Sequence, residues 1–253
     1  MQRLLLIILL INSFNIKAET PLIAVASNMI DVMSEITRAY ENETGGKVKL
    51  NFGSSGNFTT QIIQGAPYHL FIPASKHYVD KLFDMQIIDH HGSRFTQGPI
   101  GVFIPIDSKL VDMSDLDSIF NALKSGRFRK IAIANPEHAP YGVAAIQALQ
   151  HAGVWAIESN RILLAENVAQ VIHYGNSGSV DLTIIPYSFM KTKNMQNRGK
   201  FYLIPKSWYD PIVQYVVILA NATQETRNFI DFLNGNKATG IINDYGYSLP
   251  GAE

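Results

Sequence analysis

The chain has 253 residues, with 21 basic and 21 acidic side chains, 47% hydrophobic and 17% charged residues, and no cysteine. The balanced charge gives no sign of the clustered basic surface expected of a nucleic-acid-binding protein. The lack of cysteine excludes disulfides, thiolate metal sites, iron–sulfur clusters and cysteine nucleophiles. The composition is that of a globular chain with room for one large or two modest domains.

The first eighteen residues have the three parts of a secretory signal peptide. Arg3 supplies the positive start, residues 4–11 form an unbroken apolar run, and Ala18 is a small residue suited to the position before cleavage. A membrane anchor is the alternative, but the run is far shorter than the ~20 residues that span a bilayer. No cysteine follows that could accept a lipid. We therefore expect residues 1–18 to be removed and the mature chain to be soluble.

Short apolar runs alternate with helical spacing through the first half of the chain. The predicted strands are Leu22–Ala26, residues 48–52, Leu70–Ile72 and residues 100–104. Ser27 is expected to cap a first helix that ends before Gly45. Ser54 and Ser55 are expected to cap a second helix that ends at residues 65–67.

The second half of the chain continues the alternation. The predicted strands are Ile131–Ala134 and residues 162–164, 182–185 and 212–219. Helices are expected after Pro140 and from Val168, and Thr223 is expected to begin a last amphipathic helix. Strands that alternate with helices in this way indicate a three-layer α/β architecture.

At four places a predicted strand ends in a polar turn that leads into a helix. Open α/β sheets bind ligands at the carboxyl ends of their strands, and the first turn of a helix has unpaired N–H groups and a partial positive charge. Several helix starts aimed at one point would bind an anion without any cationic side chain. Any single one of these turns is more typical of an ordinary helix cap than of a binding site, so the pattern alone is weak evidence. The four places are Ser27-Asn28, Ser54-Ser55-Gly56, Pro140-Tyr141-Gly142 and Asn167-Val168.

Seven short segments are distributed along the mature chain: residues 24–28, residues 52–56 followed by Gln61-Ile62, and residues 64–67, 135–142, 165–168, 209–213 and 244–247. Each segment alone is unspecific. In this order and at this spacing they resemble the periplasmic molybdate-binding proteins of ABC importers, and the match extends over essentially all of the mature chain.

The resemblance implies the type II periplasmic-binding-protein fold. Two three-layer α/β/α lobes would be joined by two crossover strands. The first lobe would comprise residues 19–98 and 211–253, and the second residues 99–210. An oxyanion would sit in the cleft, and the lobes would close over it by a hinge motion.

The resemblance also assigns five ligand-binding residues. Ser27 and Ser55 would donate hydroxyl and backbone N–H groups from the first lobe, and Tyr141 and Val168 would donate backbone N–H groups from the second. Asn28 would be the fifth, as in the branch of the family that shares Pro-Tyr-Gly with this chain. For Tyr141 the side-chain hydroxyl is expected to be unimportant.

Three positions depart from the family pattern. Other members use a tyrosine hydroxyl where this chain has Pro186, and a register shift that brings Tyr187 into the cleft is the less favoured alternative to Asn28. His69 replaces an aspartate before the third strand, and Pro73 replaces a serine soon after it. A histidine near the cleft would add a titratable group beside the anion, and a changed loop contact is the other interpretation.

The predicted ligand set favours a fully deprotonated dianion. Molybdate, tungstate and sulfate accept hydrogen bonds only, so their site needs donors and no acceptor. Phosphate retains a proton and needs an acceptor, and none of the five residues is acidic. Glu137 or Glu166 would weaken this argument by turning inward. No cofactor is expected; sulfate or another tetrahedral oxyanion is the alternative ligand.

These features predict a monomeric periplasmic receptor that passes molybdate or tungstate to an ABC permease in the inner membrane. An enzyme or a sensor domain on the same scaffold is the alternative, because fold does not fix function. The G-x-S-x-G spacing of a hydrolase nucleophile is absent around Ser55 and at residues 175–179. The seven histidines lack a helical metal-binding spacing such as H-E-x-x-H, so we expect no direct protein–metal ligands.

Overall fold

The computed structural model describes residues 19–155, 159–195 and 197–249. The expected signal peptide, residues 1–18, lies outside the described residues. Within the described part, no helix combines the length and the hydropathy needed to cross a membrane.

Ten strands and eight helices are described. The strands are β1 (Leu22–Ala26), β2 (Lys49–Gly53), β3 (Leu70–Ile72), β4 (Ser93–Gln97), β5 (Ile100–Pro105), β6 (Ile131–Ala134), β7 (Ile162–Ala165), β8 (Leu182–Pro186), β9 (Gly199–Leu203) and β10 (Val213–Ile218). The helices are α1 (Ile30–Thr44), α2 (Ser55–Ile63), α3 (Lys76–Asp84), α4 (Leu116–Lys124), α5 (Pro140–His151), α6 (Val168–Asn176), α7 (Gln224–Leu233) and α8 (Asn236–Asp244). A 3-10 turn, Ser27–Met29, separates β1 from α1.

The strands form two five-stranded mixed sheets, one in each lobe. The first sheet has the order β2-β1-β3-β10-β4 and the second the order β7-β6-β8-β5-β9. In each sheet three neighbouring strands are parallel and the remaining pairings are antiparallel. The α/β two-lobed prediction is therefore confirmed.

The chain passes from the first sheet to the second between Gln97 and Ile100, and it returns between Leu203 and Val213. Two connections between lobes are the arrangement that permits a hinge motion. The exact lobe boundaries expected from the sequence, after Gly98 and after Asp210, stay a prediction.

Helices cover both faces of the first sheet because its strands are apolar on both sides. Ile23 and Val25 of β1 face α1, α7 and α8 in one buried cluster, and Ala24 faces the cluster of α2 and α3. Successive strand residues point to opposite faces. The second lobe has a larger cluster of its own, which extends to Ala26 and Ala74 of the first lobe. The cores of the two lobes therefore touch.

Several boundaries predicted from the sequence differ from the structure. Ser27 does not cap α1: it begins the 3-10 turn, α1 starts at Ile30, and no side chain caps either element. Thr223 does cap α7 through a capping box, but α7 is not the last helix, since α8 follows after Gly235. Gly45 ends α1 as expected, in a left-handed conformation with φ of 72°.

Candidate functional site

The four polar turns predicted to form the site do lie at the carboxyl ends of strands. The Ser27–Met29 turn follows β1, and α2 follows β2 with Ser55 as its first residue. In the second lobe α5 and α6 follow β6 and β7, with Tyr141 as the second residue of α5 and Val168 as the first of α6. The four turns belong to two lobes, so only the fold brings them to one cleft.

In α2 and α6 the capping side chain accepts a hydrogen bond from the N–H of the third helical residue. It does not bind the N–H of the first helical residue. Ser54 Oγ accepts from the N–H of Asn57 at 3.4 Å, and Asn167 Oδ1 accepts from the N–H of Gln170 at 3.2 Å. Helix α5 begins with Pro140, which has no N–H, and has no side-chain cap. The remaining donors of a helix start need another partner.

Those remaining donors belong to the predicted ligand residues. Within the described residues, the backbone N–H groups of Ser55, Tyr141 and Val168 have no hydrogen-bond partner. Such groups are costly to bury unpaired. All five predicted ligand residues are nevertheless buried: Ser27, Asn28, Ser55, Tyr141 and Val168. Unpaired buried donors at three helix starts are the arrangement expected of an anion site.

The two serine hydroxyls differ in how they are held. Ser55 Oγ accepts a hydrogen bond from the N–H of Ala74 at 3.1 Å, which leaves its hydrogen free to be donated. Ser27 Oγ has no hydrogen-bond partner among the described residues, although Ser27 is only 4% exposed. Both hydroxyls are thus available to a ligand that only accepts hydrogen bonds.

The lobes are closed over this site. The N–H of Gly56, on α2, donates to the carbonyl oxygen of His138 in the second lobe at 2.9 Å. Beside this contact, Asn57 Nδ2 donates to Glu166 Oε1, and Glu166 Oε2 lies 3.4 Å from His138 Nε2. The contact thus joins α2 to both of the loops that precede α5 and α6.

The side chain of Asn28 forms hydrogen bonds with two tyrosines. Its Nδ2 donates to Tyr141 Oη at 3.3 Å and to Tyr247 Oη at 3.1 Å, and Tyr247 Oη donates to the Asn28 carbonyl oxygen at 2.7 Å. Both hydrogens of the amide are therefore used within the protein. If Asn28 contributes to a ligand in this arrangement, its backbone N–H is the available donor.

Three further polar residues extend this network. Gln214 Nε2 donates to Tyr141 Oη at 3.4 Å, and Thr96 Oγ1 donates to Gln214 Oε1 at 2.7 Å. From the second lobe, Ser188 Oγ donates to the Asn28 carbonyl oxygen at 3.3 Å. The network therefore joins both lobes behind the cleft. All of its members are buried: Asn28, Thr96, Tyr141, Ser188, Gln214 and Tyr247.

Both tyrosines of the network stay neutral far above neutral pH. Burial raises the pKa of Tyr247 to about 12. Burial, followed by the proximity of Tyr247, raises the pKa of Tyr141 well above its ordinary value. The hydroxyls thus add no negative charge next to a bound anion.

Tyr187 does not reach the network. Its ring packs against Phe201, with centroids 5.5 Å apart, and lies under Gly246. The next residue, Ser188, is the one that contacts Asn28. The second-lobe contact at this strand end is therefore Ser188, one position beyond the tyrosine that the sequence suggested.

His69 lies at the other end of the first sheet. Its Nδ1 accepts from the N–H of Leu22 at 3.0 Å, where β1 begins. The cleft is at the opposite end of β1, after Ala26. His69 therefore has a structural contact, which agrees with the second interpretation of the sequence, a changed loop contact.

The carbonyl oxygen of Pro73 accepts a hydrogen bond from the backbone N–H of Tyr215 at 3.0 Å.

Neither glutamate considered from the sequence enters the site. Glu137 is exposed, and Glu166 is paired with His138 at the closed edge. Among the residues described, no group of three or more His, Asp or Glu side chains is arranged to hold a metal ion. In the described part of the chain, neither of these two carboxylates has a hydrogen bond to the N–H groups of Ser55, Tyr141 or Val168.

Comparison with known proteins identifies the family of this chain. The sequence pattern of the bacterial extracellular solute-binding proteins matches residues 21–248. The chain belongs to that family. This solute-binding protein is 32% identical to the molybdate-binding protein ModA of Azotobacter vinelandii over 90% of its own length and 89% of that protein. It is 30% identical to ModA of Rhodobacter capsulatus over 88% and 86%.

A solved structure gives the same relationship in three dimensions. The Azotobacter vinelandii periplasmic molybdate-binding protein superposes on this solute-binding protein with a TM-score of 0.80 at 30% identity. The match covers 92% of this chain and all of the other. The type II periplasmic-binding-protein fold expected from the sequence is thereby confirmed.

The sequence reasoning missed four members of the network: Thr96, Ser188, Gln214 and Tyr247. Tyr247 lay in one of the seven family-like segments, but nothing local distinguishes it from Tyr245, two residues earlier. The other three lie on β4, after β8 and on β10. Their shared role is a property of the folded chain.

Proposed function

We propose that this chain is the periplasmic receptor of an ABC importer and that it binds molybdate and tungstate between its lobes. One observation carries the proposal: three helix starts from two lobes present buried, unpaired N–H groups at one closed cleft. The two relatives named as molybdate-binding proteins, at 30% and 32% identity over most of the chain, support molybdate as the ligand.

The chemistry of the donors supports a bare dianion over phosphate. Ser27 and Ser55 have hydroxyl hydrogens to donate, and Ser55, Tyr141 and Val168 have free N–H groups. Four oxygens that only accept match this set, whereas phosphate would bring a proton that needs an acceptor. Sulfate satisfies the same rule, so discrimination against it would depend on size. Rigid donors that a smaller ion leaves unpaired cost about 1–3 kcal/mol each.

The remaining parts of the proposal follow from the role of a receptor. The chain would be exported through a cleaved signal peptide, act as a monomer, need no cofactor and deliver its ligand to a membrane permease. It would catalyse no reaction, because the five proposed ligand residues contain no histidine or carboxylate to activate either serine.

The test is thermal unfolding and calorimetric titration of the protein purified from the periplasm, with molybdate, tungstate, sulfate and phosphate in turn. A ligand at 100 times its dissociation constant adds about 2.7 kcal/mol to stability, which is roughly 5–10 °C for a chain of this size. We expect saturable 1:1 binding of molybdate and tungstate. Equal binding of sulfate would widen the ligand class, and binding of none of the four would overturn the proposal.

A further inference from the structure

Tyr247 belongs to the C-terminal segment after α8, yet its hydroxyl lies between the lobes. One oxygen atom makes two hydrogen bonds to one residue: it donates to the Asn28 carbonyl at 2.7 Å and accepts from Asn28 Nδ2 at 3.1 Å. Both the backbone and the side chain of Asn28 are thereby fixed.

The residue held in this way is part of the Ser27–Met29 turn. That turn has three residues and no side-chain cap, and the N–H of Ile30 donates to the Ser27 carbonyl at its end. A turn this short has few internal hydrogen bonds, so outside contacts contribute to its orientation. Because Tyr247 holds both the carbonyl and the side-chain amide of Asn28, it restrains the orientation of this residue and of the donors of Ser27 and Asn28 beside it.

The same carbonyl is shared with the second lobe. Ser188 Oγ donates to it at 3.3 Å and lies 3.3 Å from Tyr247 Oη. These contacts join the two lobes in this closed arrangement, because Ser188 belongs to the second lobe and Tyr247 to the first. The pair therefore forms part of the closed state.

Tyr247 is also held against the first connection between the lobes. Its neighbour Ser248 exchanges two backbone hydrogen bonds of 2.9 Å with Gln97, the last residue of β4. In the connection itself, a side chain at Gly98 would lie 2.6 Å from the Tyr247 ring and 3.0 Å from Tyr141 Oη. Movement of this connection would therefore displace Tyr141 and Tyr247, because both pack against Gly98.

We infer that Tyr247 is a positioning residue for oxyanion binding, which orients the Ser27–Met29 turn and joins it to the second lobe and to the inter-lobe connection in the closed state. The inference rests on the proposed function. It assigns Tyr247 no contact with the ligand: its hydroxyl acts through Asn28 and slows reopening of the lobes.

The experiment compares Tyr247→Phe with Tyr245→Phe in the full mature protein. Both variants remove one tyrosine hydroxyl from the same segment, but Tyr245 Oη donates to Glu35 at 2.9 Å, on the exposed side of α1. Molybdate affinity is measured by calorimetry, and association and dissociation rates by stopped-flow intrinsic fluorescence. We expect Tyr247→Phe to weaken binding about tenfold or more, mainly through faster dissociation. Tyr245→Phe should match the wild type within about twofold.

Ser188→Ala provides a second variant from the opposite lobe, and it should accelerate dissociation about threefold without changing association. Unfolding of each variant without ligand separates loss of stability from loss of positioning. If Tyr247→Phe and Ser188→Ala both release molybdate at the rate of the wild type, the inference is overturned. The proposed function still holds in that case, because the wild-type protein binds the anion. Failure of the wild type to bind any oxyanion would overturn both.

Discussion

The N–H of Gly56 in the first lobe donates to the carbonyl oxygen of His138 in the second at 2.9 Å. This contact requires glycine, because a Cβ on Gly56 would overlap the His138 side chain and lie 2.8 Å from its Cα. Gly56 is the second residue of α2, directly after Ser55. The contact that closes the lobes and the proposed ligand donor Ser55 thus lie within one turn of the same helix.

Gly56→Ala should block full closure and leave the first lobe folded. We expect molybdate affinity to fall by about ten- to a hundredfold, since the added methyl group meets backbone that cannot move without separating the lobes. Calorimetry measures the affinity, and small-angle scattering with saturating ligand reports closure. Gly240→Ala is the matched control, because Gly240 also lies in a helix and has open space around its Cα. Tight binding by Gly56→Ala would contradict a closed liganded state of this geometry.

Ser55→Ala should weaken oxyanion binding by about 2–3 kcal/mol, as expected for loss of a hydrogen bond to a charged group. The change also removes the acceptor for the N–H of Ala74, so the ligand-free protein should lose about 1–3 kcal/mol of stability. Calorimetry and denaturant unfolding measure the two effects separately. An unchanged affinity would mean that the hydroxyl points away from the ligand.

The starts of α2, α5 and α6 were predictable from the sequence because helix caps are local signals: Ser54, Pro140 and Asn167 each stand at the start of their helix. Five elements escaped prediction: β4, β9, α3, α4 and α8. Strands β4 and β9 lie at the edges of their sheets, and β4 is mostly polar. Helices α3, α4 and α8 have nine residues each, and Tyr78, Val79 and Leu82 of α3 do have helical spacing.

The polar network behind the cleft could not be predicted from the sequence. Asn28 and Tyr247 are 219 positions apart, and Tyr141 and Gln214 are 73 apart. Their contacts depend on the two crossings between the lobes and on the return of the C-terminal segment to β4. A pattern read over a window of residues contains none of this information.

Tyr141→Phe is the variant for which the structure changes the expectation. If Tyr141 served only through its backbone, loss of the hydroxyl would have no effect. The hydroxyl accepts from Asn28 and Gln214 at 3.3 and 3.4 Å, and its removal leaves both buried amides short of a partner. We expect a loss of about 1–3 kcal/mol in the stability of the liganded protein, measured by thermal unfolding with saturating molybdate. A melting temperature equal to that of the wild type would restore the backbone-only role.

His69→Asn should leave molybdate affinity unchanged, because His69 contacts Leu22 at the end of β1 that lies away from the cleft. The amide oxygen of asparagine can also accept from the N–H of Leu22, so the fold should survive with a stability loss of about 1 kcal/mol or less. Titrations at pH 6 and pH 8 should give the same affinity for the variant and the wild type. A difference confined to low pH would place a charged His69 within electrostatic reach of the anion.

Alkaline pH should destabilise the protein through its buried tyrosines. Burial raises the pKa of Tyr247 to about 12, whereas an unfolded tyrosine ionises near 10. Below pH 10 the hydroxyl is protonated in both states, so its contribution is fully present. As the pH rises from about 10 to about 12 the unfolded state loses its proton first, and about 3 kcal/mol of stability is lost through this residue.

Denaturant unfolding at pH 8, 10, 11 and 12 measures that loss, and absorbance at 295 nm reports tyrosinate. Tyr247→Phe should show a smaller fall in stability between pH 10 and pH 12 than the wild type, because it lacks one of the groups whose ionisation favours unfolding. At pH 8 the comparison isolates the lost hydrogen bonds alone, since no tyrosine is ionised in either state. An equal fall in both proteins would mean that Tyr247 ionises in the folded state near pH 10. Its hydroxyl would then be exposed to solvent and would not hold Asn28 in place.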